Sequence, residues 1–144
     1  MQLTGPDMRS KPPVPICKKF LTCRRIYTHS EFNDTCFEGL RSHYQSHRFP
    51  FAITTALFFQ LVSAHGQYEI EIQLQTPEGE IVWKDGPPGS CSLDETLMVY
   101  EFKLSVNLVF PKPGPYVVVL VVNGEELERE PSSATLSRLP AQAD

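Results

Sequence analysis

The sequence predicts an all-β fold, an immunoglobulin-like antiparallel two-sheet β-sandwich of about seven strands. Three observations carry that expectation. Apolar and polar side chains alternate with period two in run after run, while helical spacing is weak. Thirteen prolines against eight glycines interrupt the chain too often for an all-helical fold. Turn chemistry returns every 8–14 residues or so, the rhythm of short strands folded back on one another. A chain of 144 residues is enough for one domain and one core. Residues 1–15 carry four prolines and few large apolar side chains, and read as a flexible arm. Residues 131–144 read as a flexible tail, which leaves 16–130 as the sandwich domain.

The elements follow in order. Lys18–Tyr27 reads as a strand with Leu21, Cys23 and Tyr27 on one face and Phe20 and Ile26 on the other. His29–Asn33 is a turn, and Thr35–Leu40 pairs back. After Phe49-Pro50, Phe51–Ser63 supplies the next strand, although its alanine, leucine and phenylalanine suit a helix as well. In Gln67–Gln75, Tyr68, Ile70, Ile72 and Leu74 alternate with Glu69, Glu71, Gln73 and Gln75, the pattern of a half-exposed strand. Thr76-Pro77-Glu78-Gly79 turns the chain into Glu80–Trp83, and Asp85–Ser92 is a loop. Met98–Phe110 alternates throughout and stops at the prolines of 111–115, which cannot donate to a ladder. Tyr116–Val122 is apolar on both faces. Asn123-Gly124 is a strong hairpin signal, and Glu125–Glu130 closes the hairpin as a charged edge strand.

The segments Phe20-Leu21-Thr22-Cys23, Glu38-Gly39-Leu40, Phe49-Pro50, His65-Gly66-Gln67-Tyr68 and Pro77-Glu78-Gly79 stand in an order that matters. With Leu108–Tyr116 and its Phe-Pro-x-Pro-Gly-x-Tyr hairpin, they make residues 20–130 resemble a bacterial β-sandwich family of unknown function. The chain departs from that pattern at Arg24, where an acid is usual, and in its longer arm. The resemblance implies the fold and no activity.

Charge is uneven. Residues 1–48 hold eight Lys/Arg and four acids, whereas 49–144 hold five and thirteen, for a net charge of −4. A globally basic nucleic-acid binder is excluded, and the acidic remainder opposes a polyanion at the basic front. The start of the chain has no apolar core of the kind a secretion signal needs. The longest apolar stretch, Phe51–Ala64, is too short and too polar for a membrane helix. A cytoplasmic location is expected, with all four cysteines as thiols.

The constellations that could carry chemistry are few. Cys17, Cys23, Cys36, His43 and His47 offer zinc-ligand atoms, and His43 and His47 have the i, i+4 spacing of helical ligands. Structural zinc sites usually pair cysteines two to four residues apart, and here the gaps are wider. Cys23 or Cys36 beside a histidine would make a nucleophile, but apolar neighbours raise a thiol pKa. No phosphate-binding glycine loop is present. No cofactor is expected. The double-sided strand 116–122 remains. A two-layer sandwich buries one face of each strand, so Val117, Val119 and Val121, or else Tyr116, Val118, Leu120 and Val122, must find other cover, with Phe58 and Phe59 as additions. The expectation is a non-catalytic interaction or assembly module that binds a protein partner or another copy through this sheet face. A small metal- or ligand-binding domain using the Cys/His-rich front is the alternative.

Overall fold

The computed structural model describes residues 12–86 and 88–138. It is all-β, with two sheets packed face to face. One sheet has four strands in the order β2 (Asp34–Leu40), β1 (Ile16–His29), β4 (Phe51–Val62), β8 (Tyr100–Phe110). The other runs β3 (His43–Ser46), β10 (Glu125–Leu136), β9 (Gly114–Val122), β5 (Gly66–Gln75), β6 (Ile81–Lys84). The short β7 (Gly89–Leu93) pairs with the first half of β5, beside β6 on the same edge.

Alternation explains the core. Leu57, Phe59 and Leu61 of β4 and Val106, Leu108 and Phe110 of β8 point inward from one sheet. Tyr68, Ile72 and Leu74 of β5 and Tyr116, Val118, Leu120 and Val122 of β9 meet them from the other. Burying each large apolar side chain contributes about 1.5–3 kcal/mol before chain entropy is set against it. Aromatic edges and faces fill one end of the layer, where Phe110 lies 5.1 Å from Tyr44 and 5.2 Å from Tyr116.

The hairpin after β9 has the geometry its sequence predicts. Asn123 and Gly124 have φ of 51° and 80°, the signs a type I′ turn needs at both central residues, and Val122 pairs with Glu125. Phe51–Val62 resolves as a strand, because its inward positions match the facing sheet at period two.

Six expectations need correction. Among the described residues there are ten strands, not about seven, several too short for alternation to reveal. His43–Ser46 is one of them: it runs parallel to the end of β10, so His43 and His47 are not on a helix. Gly89–Leu93 lies inside the expected loop yet pairs with Gly66–Ile70. The strand expected from Met98 begins at Tyr100. The tail expected from Pro131 is strand through Leu136, with Ala134 buried in the core. Of the expected arm, Pro13 accepts a hydrogen bond from Tyr68 Oη at 2.8 Å, so the described end of that segment is tied to β5; residues 1–11 lie outside the described residues.

Candidate functional site

The five side chains expected to form a partner surface are buried by the chain itself. Val117, Val119 and Val121 form a small cluster on the outer face of the second sheet, and Val119 is 0% exposed. Their cover is polar at its tips and aliphatic along its stems. Gln75 and Gln73 of β5 lie beside Val117 and Val119, and Glu71 beside Val121. These three are laced along the strand, Gln75 Nε2 donating to Gln73 Oε1 at 2.9 Å and Gln73 Nε2 to Glu71 Oε1 at 2.8 Å. From β10, Arg129 lies beside Val119 and Glu126 beside Val121. The guanidinium folds along the strand onto the Glu126 carboxylate, with bonds of 2.6 and 2.8 Å. The outer face of the first sheet shows the same device in aromatic form. Phe58 lies between Leu21 and Lys103 in the ladder and under Phe37, whose ring is 4.8 Å away edge-on. Phe59 points into the core, stacked on Phe102 at 4.7 Å.

The candidate metal ligands do not converge. Cys17 and Cys23 sit along β1, Cys36 is opposite Tyr27 on β2, and His43 is in the other sheet with Nδ1 2.7 Å from Ser133 Oγ. His47 follows β3 in a loop. Among the described residues no three His, Cys, Asp or Glu side chains are close enough to hold an ion. Burial, with Glu128 nearby, pushes the Cys17 thiol up to about 11. Burial also raises Cys23 and Cys91, so these three are protonated and poorly nucleophilic at neutral pH.

Some of the exposed apolar side chains lie together at one end of the sandwich, while others, Phe32, Leu40 and Leu136 among them, lie elsewhere. Asp94–Val99 connects β7 to β8, and its first half is held by polar contacts. His65 Nδ1 lies 2.9 Å from the Asp94 carbonyl, and the Glu95 N–H donates to Tyr100 Oη at 2.7 Å. Met98 N–H donates back to the Glu95 carbonyl at 3.0 Å, closing a four-residue turn with Thr96 and Leu97 at its tip. Leu97 is 98% exposed, and Met98 and Val99 are about half exposed. Val14 and Ile16, just before and at the start of β1, are also more than half exposed at this end. The sequence signal for this site was the broken alternation: Leu97, Met98 and Val99 are three consecutive apolar residues directly after the polar run Asp94-Glu95-Thr96.

No protein-family model matches the chain, and no curated protein matches it in sequence. Solved structures similar to it include a β-glucosidase from Listeria innocua in complex with glucose, at 10% identity and a TM-score of 0.46. That match covers 87% of this chain and 17% of the enzyme. An alkylpurine DNA glycosylase, AlkC, from Pseudomonas fluorescens bound to DNA containing an abasic-site analog is similar at 10% identity and a TM-score of 0.42, over 83% of this chain and 30% of that one. The chain thus spans less than a third of each of these structures. No helix among the described residues is long and apolar enough to cross a membrane.

Proposed function

We propose that this chain is a non-catalytic, cytoplasmic interaction module, which binds a protein partner or a second copy through the loop end of the sandwich. The observation that supports the reading is the turn Glu95–Met98, which is anchored by polar contacts yet carries Leu97 wholly into solvent beside Met98 and Val99. A leucine at that level of exposure gains nothing in the isolated fold. Covering it, with Met98 and Val99 beside it and Val14 and Ile16 at the same end, would remove exposed apolar surface from water. The outer valine face, already covered by Gln73, Gln75 and Arg129, offers a partner no such gain. Four free thiols, three of them with raised pKa, suit a reducing compartment and a chain that does not use them as nucleophiles.

The test is purification of the whole chain from its native host, wild type beside Leu97→Asp, with co-eluting proteins identified and sedimentation measured. Wild type is expected to carry a partner, or to self-associate, and the variant to lose it with an unchanged melting temperature. If both elute alone as monomers, or both retain the same partner, the loop end is not the binding surface.

A further inference from the structure

The sandwich is open along one seam. Among the described residues β8 is an edge strand, paired with β4 alone, and on the facing sheet β6 and β7 share the corresponding edge on β5. At one level the seam is sealed. Trp83 Nε1 donates to the Asn107 carbonyl at 2.9 Å, and the Asn107 N–H donates to Asp85 Oδ1 at 3.2 Å. Closer to the loop end, between Phe102–Val106 of β8 and Gly89–Cys91 of β7, the seam widens into a cleft of about 390 Å³. Its floor is apolar, with Phe102, Leu104 and Ile70 only partly buried although all three face the core.

The bonds at Asn107 fix which backbone groups of β8 look into that cleft. In an antiparallel ladder alternate residues direct both N–H and C=O to the same side. Asn107 directs its pair away from β4, and therefore so do Ser105, Lys103 and Glu101. These residues form a row of main-chain donors and acceptors beside an apolar floor, which matches the main chain of an extended peptide.

We propose that the β8 edge and its cleft are a binding site for an extended peptide segment, which adds as a strand antiparallel to residues 101–105. Its inward side chains, opposite Phe102 and Leu104, are small and apolar. Its outward ones are polar, with an acid opposite Lys103, which has no ion-pair partner among the described residues, and a base opposite Glu101. A segment free of an attached sandwich suits this edge better than a second copy of β8. The two-fold axis relating antiparallel strands stands perpendicular to the sheet, so a copy would bring its own β6 and β7 to the same side as this chain's β6 and β7, which flank the cleft.

The probe is the peptide Val-Thr-Val-Glu-Val-Lys-Val, titrated into the full chain and followed by calorimetry and amide exchange. Binding in the micromolar range is expected, with slowed exchange at Lys103 and Ser105. Methylating the Thr, Glu and Lys backbone nitrogens of the peptide should weaken it at least tenfold, and this control leaves the protein untouched. Ser105→Pro, which removes an N–H that β4 does not use, should do the same, and Lys103→Glu should weaken binding severalfold. Leu97→Asp should leave peptide affinity unchanged, which separates this site from the loop end. Absence of binding at about 1 mM peptide, the weak end of measurable affinity, would overturn the proposal. Equal affinity for the methylated peptide would do so too.

Discussion

Two glutamates on β10 show how position on a strand decides the sign of a charge's effect. Glu126 accepts two bonds from Arg129, which holds its carboxyl below the ordinary 4.5, while Glu130 is raised by burial and by Glu128 beside it. A depressed carboxyl stabilises the fold above its ordinary pKa, and that contribution is lost as pH falls through the folded-state value. A raised one works in reverse: ionised Glu130 opposes folding at neutral pH, and the opposition vanishes as pH falls through its raised value. Glu126→Gln should therefore lower the melting temperature at pH 7 and Glu130→Gln should raise it. Each effect is at most about 0.5–1 kcal/mol, since the Glu126 pair is largely exposed and single surface changes are small. Both differences should shrink as pH falls below the ordinary carboxyl value of 4.5; melts at pH 7 and in acid check the sign of each. Cys23 shows residue-scale legibility, since the strand around it predicted a raised thiol pKa and the fold supplies the burial that raises it.

At the level of elements, the period-two runs were readable because one of their faces had to be apolar. β5, β8 from Tyr100, and the β9–β10 hairpin with its Asn123-Gly124 turn all follow from alternation and turn residues alone. β3 and β7 were not readable, because four or five residues such as His43–Ser46 and Gly89–Leu93 carry little apolar pattern and owe their conformation to the partner strand. The candidate site misled for a related reason. Seven apolar residues in β9 signal two buried faces, but a sequence does not say that stems of Gln73, Gln75 and Arg129 supply the second cover. This has a direct consequence for Val119, which lies at the centre of that cover with no exposed surface. Val119→Lys would place an ammonium beside Arg129 and under the glutamine row, so it should destabilise the monomer by about 3 kcal/mol or more. Urea denaturation should show that loss as a lower midpoint. A variant that keeps the wild-type midpoint and merely dissociates an assembly would restore the outer face as an interface.

Across the whole molecule, closure depends on the two ends of the described chain meeting distant partners. β1 pairs with β4 and shares an edge with β2, while the last residues of β10 reach β3, with His43 beside Ser133 ninety positions away. Such non-local pairing makes folding slow, because long loops must close before their contacts contribute. It also makes residues 131–136 structural, although their Pro-Ser-Ser-Ala composition reads as a tail. Ser133–Leu136 is the ladder that β3 uses, and β3 in turn holds Tyr44 in the core against Phe110. Ending the chain after Glu130 would remove the buried Ala134 and release β3, exposing the aromatic end of the core around Phe110. Stability of a domain this size is about 5–15 kcal/mol in total, and losing two strand segments with a buried tyrosine takes much of it. The truncated chain should lack a cooperative thermal transition by circular dichroism, whereas a transition at the full-length temperature would return 131–136 to the status of a tail.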